Sequence, residues 1–221
     1  GGGIVRHGLK PKNVLTVALL LYVVAAFIGI YICMNSSWWL VVIGLIGMAV
    51  GYLYTGGPLP IAYTPFGELV SGLLMGTCFV LIAFFIQTNT ITIESVLISI
   101  PIGILVGAIN MSNNIRDIEE DIKGGRKTLV ILLGREKAIV TLAVAFFIAY
   151  LWIAVIVLMG YISPWALVMF LGLRKPISAI QSFQKGAKDP GYMRIAMKST
   201  AMTNTIFGFL LSAGLLISYL F

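Results

Sequence analysis

Two aspartates four residues apart, Asp117 and Asp121, stand in the string Asn110-Met-Ser-Asn-Asn-Ile-Arg-Asp-Ile-Glu-Glu-Asp-Ile-Lys-Gly-Gly-Arg-Lys-Thr128. Nothing before Gly124-Gly125 breaks helical geometry, so both carboxylates leave one helix face, about 5–6 Å apart at Cβ. Asn113 lies one turn earlier on that stripe, flanked by Asn110 and Asn114, while Ile115, Ile118 and Ile122 take another face. Two close carboxylates repel each other, which suits a site for a hard cation. Mg²⁺ takes oxygen ligands, keeps several waters, and is commonly held by one or two carboxylates plus substrate phosphates. Lys123, Arg126 and Lys127 follow around the flexible glycines. Carboxylates followed by cations fit a metal–diphosphate complex better than a bare phosphate. The plainer alternative is a solvated helix in which Arg116–Glu120 and Glu119–Lys123 form surface pairs at i,i+4.

A second segment, Tyr54-Thr-Gly-Gly-Pro-Leu-Pro-Ile-Ala-Tyr-Thr-Pro-Phe-Gly67, carries no charge, and its Gly and Pro content marks a defined non-helical path. Tyr54 and Tyr63 can donate hydrogen bonds to an anionic or aromatic ligand, or serve as interfacial belt tyrosines. Glu68 opens the next helix, where the helix dipole alone accounts for a carboxylate with no catalytic role. His7 reads as a solvated residue of a basic terminal loop. Asn204, inside the polar run Ser199–Thr205, reads as interhelical hydrogen-bond glue. Cys33 and Cys78 fall in apolar stretches without metal-ligand neighbours and read as small packed hydrophobes.

The elements that must position these groups follow from composition. Of the 221 residues 59% are hydrophobic and 10% charged, against about 45–50% and about 25% in a soluble domain. That excludes a soluble enzyme, a disordered tail and a disulfide-stapled module, and leaves an all-α polytopic transmembrane helix bundle. Apolar runs cover Val14–Met34, Trp38–Thr55, Gly67–Ile86, Ile93–Met111, Ala138–Gly160, Ile162–Leu173 and Ala196–Phe221. Seven helices are therefore expected. The sixth run is short and must continue through Arg174 and Lys175, whose long side chains snorkel.

Loops at Gly1–Asn13, Gly56–Phe66, Ser112–Lys137 and Arg174–Ile195 fall on one side, with nearly all the Lys and Arg behind the net charge of +7. The positive-inside rule puts that side, and the aspartate loop, in the cytoplasm of a multi-pass cell-membrane protein. The basic excess then serves the membrane face or an anionic substrate, not nucleic acid. Gly47/Gly51, Gly72/Gly76 and Gly103/Gly107 are small-xxx-small pairs, expected to pack helices within one bundle more than to form a dimer face. Pro101 is expected to bend the fourth helix.

The aspartate loop with Lys123, and the Tyr-rich loop before it, resemble the UbiA-type intramembrane prenyltransferases. Asn113-Asn-Ile-Arg-Asp-Ile-Glu-Glu-Asp121, Gly125-Arg-Lys-Thr128, Tyr54-Thr-Gly-Gly-Pro58 and Gly67-Glu68 look like the branch that prenylates 1,4-dihydroxy-2-naphthoate for menaquinone synthesis. The likeness covers essentially the whole chain. It implies a nine-helix bundle around a cavity with two facing aspartate motifs, Asp117 and Asp121 belonging to the second. It also implies Mg²⁺, polyprenyl diphosphate and an aromatic acceptor as partners, and loss of the naphthoate carboxylate as CO₂. Asp117 and Asp121 would hold the metal. Lys123, Arg126 and Lys127 would contact diphosphate, with Asn113, Asn114, Tyr54 and Tyr63 lining the substrate site.

The family's first motif, an N-D-x-x-D-like string, is not in this sequence, and Gly1-Gly-Gly-Ile-Val-Arg-His-Gly8 reads like the loop that follows it. Residues 1–221 are thus expected to be a single transmembrane domain, with seven of nine helices and the first two upstream. Pro58 stands where a family lysine would follow Tyr54, which fits the naphthoate branch better than the 4-hydroxybenzoate one. Other aromatic acceptors (4-hydroxybenzoate, a haem or chlorin ring) remain as alternatives within the class. A transporter, the alternative from another class, would be expected to carry ionisable residues near mid-membrane.

Overall fold

The computed structural model describes residues 8–58, 60–186, 189 and 191–220. His7 and all but the last residue of the Gly1–Gly8 string lie outside them. All regular structure among the described residues is helical: α1 (Pro11–Asn35), α2 (Trp39–Thr55), α3 (Gly67–Thr88), α4 (Ile93–Lys123), α5 (Leu129–Leu133), α6 (Arg135–Leu158), α7 (Arg174–Gly186) and α8 (Gly191–Leu220). Short 3₁₀ segments occupy Ile61–Tyr63 and Pro164–Gly172.

The chain divides into two compact units, one ending at Val50 and the other beginning at Gly51. In the first, α1 opens with Pro11 in its first turn, where the missing N–H costs nothing. It is apolar on every side, with Cys33 buried, as its sequence context implied.

In the second unit α3 and α4 meet backbone to backbone. A Cβ on Gly72 would lie 2.5 Å from the Gly103 carbonyl oxygen, and one on Gly76 2.5 Å from the Gly103 Cα. These two small-residue pairs therefore pack helices within one chain, as expected, whereas nothing lies within 4 Å of the Cβ position at Gly47. Between them α3 widens into a π turn over Leu73–Cys78.

Helix α4 starts from a capping box in which the Thr92 hydroxyl accepts from the Ser95 N–H and the Ser95 hydroxyl from the Thr92 N–H. Pro101 lies inside it and cannot donate to the Leu97 carbonyl one turn back. The indole N–H of Trp152 on α6 donates to that carbonyl instead, at 2.8 Å. The freed acceptor thus becomes an α4–α6 tie, which matters where no water is available. At about 1.5 Å per residue the 31 residues of α4 run about 46 Å, well beyond the ~30 Å of hydrocarbon. The Asn and Asp stripe lies on the last third of the helix, past the length needed to cross.

The core joins α4 (Leu105, Ile115), α6 (Leu142, Ile153), Met169 of the second 3₁₀ segment, Phe183 on α7 and Phe207 on α8. Five helices, α1, α3, α4, α6 and α8, are long and apolar enough to cross a membrane, and α2 is a shorter apolar helix of 17 residues. The sixth apolar run, Ile162–Leu173, is corrected. It forms a nine-residue 3₁₀ segment pressed onto α8, where a Cβ on Gly214 would lie 2.3 Å from the Trp165 carbonyl oxygen. The expected loop at Arg174–Ile195 is also corrected, since α7 occupies its first half. Its apolar stripe, with Pro176, Ala179 and Phe183 buried, is diluted in any hydropathy average by exposed Arg174, Gln181, Gln184 and Lys185.

Candidate active site

The aspartate stripe lies on the overhanging end of α4, and two local devices shape it. Gly124 and Gly125 end the helix. Gly125 takes φ +71°, a left-handed conformation open to glycine, and turns the chain back. The Arg126 N–H then donates to the Asp121 carbonyl at 3.0 Å, and the Arg126 guanidinium pairs with Asp121 Oδ1, also at 3.0 Å. Asp121 is 6% exposed, and its Oδ2 has no partner among the described residues. Asp117 is half-buried and ion-paired to Arg116, whose guanidinium also reaches the Met197 sulfur on α8.

The Tyr-rich loop closes against this stripe. The Arg126 guanidinium lies 4.6 Å from the centroid of the Tyr63 ring, and the Lys127 N–H donates to the Tyr63 carbonyl at 2.8 Å. Tyr54 donates its hydroxyl proton to the Gly67 carbonyl at 3.3 Å and accepts from Asn110 Nδ2 at 2.9 Å. Asn114 Nδ2 donates to Glu68 Oε1 at 2.8 Å. One surface therefore gathers hydroxyls, amides, carboxylates and a guanidinium from segments about 60 residues apart in sequence.

The structure brings together Asp117, Asp121, Asn114, Arg126, Tyr54 and Tyr63. Asn113 is half-buried beside them, and Lys123 and Lys127 stand exposed at the rim. Other expectations are corrected. Glu119 pairs at 2.8 Å with Arg135, which the left-handed turn at Gly134 delivers from the start of α6, rather than with Lys123, and Arg116 pairs with its neighbour Asp117. Ile115 and Ile118 are buried, but Ile122, beyond the core at the helix end, is 57% exposed. Asn204 does not act as glue, because its Oδ1 is buried with no hydrogen-bond partner among the described residues. The interhelical bond from that run joins Ser199 to Ser178 at 3.3 Å. Glu68 stands in the first turn of α3, as expected, but the helix dipole does not account for its surroundings. It is 6% exposed, and one oxygen lacks a partner among the described residues. The sequence does not show the contacts of Glu68, Arg135 and Met197, because their partners lie 46, 16 and 81 residues away.

The donor set bears on the metal. No group of three His, Cys, Asp or Glu side chains among the described residues could by itself hold an ion. Asp117 and Asp121 offer hard carboxylate oxygens, one buried and unsatisfied. Such a pair suits an ion that brings its own water and phosphate ligands, as Mg²⁺ does with phosphorylated substrates. The Arg126 guanidinium already on Asp121 can turn to the same phosphates, for which its planar fork is matched.

A family model described as the UbiA prenyltransferase family matches residues 3–198. The chain is 64% identical over 219 residues to the 1,4-dihydroxy-2-naphthoate octaprenyltransferase of Bacillus subtilis (strain 168), covering 99% of this chain and 70% of that relative. It is 29% identical over 223 residues to the protein of the same name from Haemophilus influenzae, covering 97% and 71%. It is 30% identical over 151 residues to UbiA prenyltransferase domain-containing protein 1 of Rattus norvegicus, covering 67% and 44%. A multi-pass membrane protein whose Tyr-rich loop closes on a two-aspartate helix end, and whose sequence matches at this level, belongs to the UbiA prenyltransferase family.

Proposed function

We propose that this chain transfers a polyprenyl group from polyprenyl diphosphate to 1,4-dihydroxy-2-naphthoate, a step of menaquinone synthesis, with Mg²⁺ as the metal. The observation that carries the reading is the position of Arg126, which ties the aspartate helix end to the Tyr63 loop. The acceptor is taken from the 64% identical relative, a 1,4-dihydroxy-2-naphthoate octaprenyltransferase.

The difficult event is ionisation of the allylic C–O bond, which leaves negative charge on diphosphate. Asp117 and Asp121 would hold the metal, and Mg²⁺ when bound neutralises charge on the leaving group. Arg126 holds the diphosphate oxygens as a planar fork, and Lys123 and Lys127 add point charges at the rim. Stabilisation aimed at charge that develops during reaction lowers the barrier more than it tightens substrate binding. Tyr54, Asn110 and Asn114 offer the hydroxyl and amide groups that position a dihydroxylated ring.

The test is reconstitution of the full-length protein in lipid with Mg²⁺, a polyprenyl diphosphate, and either 1,4-dihydroxy-2-naphthoate or 4-hydroxybenzoate. The expected result is prenylated naphthol with one CO₂ released per product, and no product from the benzoate. Equal turnover of both acceptors would overturn the assignment.

The aspartate end of α4 is proposed to face the cytoplasm, on the positive-inside argument. Lys137→Cys replaces an exposed residue in the first turn of α6. In intact cells it should resist an impermeant thiol reagent until the membrane is opened, and labelling from outside would reverse the orientation.

A further inference from the structure

Glu68 has no role in the chemistry described so far, yet it is built into the site. It is 6% exposed. Its Oε1 accepts from Asn114 Nδ2 at 2.8 Å, and its Oε2 is buried without a partner among the described residues. The site's guanidiniums pair with Asp117, Asp121 and Glu119, and among the described residues none pairs with Glu68. Among the described residues no group of three acidic, His or Cys side chains could hold an ion, so Glu68 does not complete one with Asp117 and Asp121. Its backbone is held firmly. The Ser71 hydroxyl donates to the Glu68 carbonyl at 3.0 Å, and that carbonyl oxygen lies 2.9 Å from where a Cβ on Gly107 would stand. The α4 side chain bonded to it is the neutral amide of Asn114, while Asn110, one turn earlier, is bonded to Tyr54. The titratable groups coupled to this corner are Tyr54 on α2 and, beyond it, Arg126. A buried carboxyl with a neutral partner on one oxygen and nothing on the other is expensive unless something uses that oxygen.

Resting on the function proposed above, we propose that Glu68 Oε2 carries a proton for the aromatic acceptor. The acceptor hydroxyl next to the carboxylate-bearing ring carbon gives its proton to Oε2, and the O–H electron pair flows into the ring. That ring carbon forms the new C–C bond to the allylic carbon, and the C–O bond to diphosphate breaks with its electron pair on diphosphate. The ring now carries a ketone beside a carboxylate. Loss of CO₂ leaves its bonding pair on the ketone oxygen, which takes the proton back from Glu68. Glu68 ends as it began, and no further reactant is needed. Tyr54 and Asn110 hold the ring side of this corner, and Asn114 fixes the carboxyl so that Oε2 is the oxygen left over.

Glu68→Gln keeps the size and the bond from Asn114 but cannot move the proton. General acid–base steps contribute roughly 10²–10⁴-fold. The variant should lose at least about 10²-fold in kcat at pH 7, and bind a non-hydrolysable thiolodiphosphate analogue of the prenyl donor as the parent does. The deficit should shrink as pH rises toward the acceptor's own hydroxyl ionisation, about 10 for a simple phenol. Full activity of Glu68→Gln, a deficit that ignores pH, or an equal loss of donor binding would each overturn the proposal. The last would make Glu68 only a prop for Asn114. If Glu68→Gln does not fold, the parent assayed with naphthoates of graded hydroxyl acidity decides. A rate indifferent to that acidity overturns the proton role. A parent that prenylates no naphthoate at all would instead remove the function on which the proposal rests.

Discussion

Asp117→Asn should lower kcat by about 10³-fold and raise the Mg²⁺ concentration needed for half-maximal rate, while Arg116→Ala should cost less than tenfold. The asymmetry follows from what each side chain does once substrate is present. Removing a preorganised group aimed at developing charge typically costs about 10²–10³-fold, and a lost metal ligand removes a charge and a coordinating oxygen together. Arg116 is paired to Asp117 at a half-exposed position, where an ion pair is worth about 0–1 kcal/mol. It can be lost without emptying the site. The check is a Mg²⁺ titration of initial rate at saturating acceptor for both variants and the parent. Indistinguishable titrations of Asp117→Asn and the parent would remove the carboxylate from the metal site.

Gly76→Val should destabilise the bundle by about 3 kcal/mol, at the upper end of overpacking costs, while Gly47→Val should be nearly silent. The Cβ added at Gly76 meets the Gly103 Cα at 2.5 Å and the Gly103 nitrogen at 2.9 Å. Both are backbone atoms that cannot rotate away. The α3–α4 seam would have to open, and that seam carries Glu68 and Asn114. Nothing stands within 4 Å of the corresponding position on Gly47. Unfolding in mixed micelles followed by tryptophan fluorescence compares the two, and equal midpoints would show that the seam is not close-packed in lipid.

Helix existence was legible because lipid demands long apolar runs. Six of the seven runs are α-helical, and the stripe through Asp117 and Asp121 lies on a helix that continues to Lys123, as the absence of any breaker before Gly124 implies. Amphipathic α7 was not legible, since half its face is polar and hydropathy averages over the turn. The 3₁₀ winding of Pro164–Gly172 depends on a glycine 50 residues away, Gly214, which local pattern does not register. In the site, residue types with specialised chemistry stood out from their spacing. What did not stand out was which charge faces which: Arg126 on Asp121, Arg135 on Glu119, and Glu68 turned inward to Asn114. Those choices are made by the left-handed turns at Gly125 and Gly134 and by the glycine seam, features visible as glycines in the string but not as directions.

The overhang of α4 has a kinetic meaning. On the proposed function, with the carboxylates on the portion of a ~46 Å helix that exceeds a ~30 Å hydrocarbon layer, a prenyl donor would place its diphosphate at the site while its tail never leaves the bilayer. Donor then arrives by lateral diffusion within a two-dimensional phase, and the quantity that governs saturation is its mole fraction among lipids, not its molarity in the bulk volume. Adding inert lipid at constant total donor dilutes the substrate as surely as adding buffer dilutes a water-soluble one. The acceptor, charged and far less apolar, obeys ordinary three-dimensional concentration on the opposite side of the same reaction.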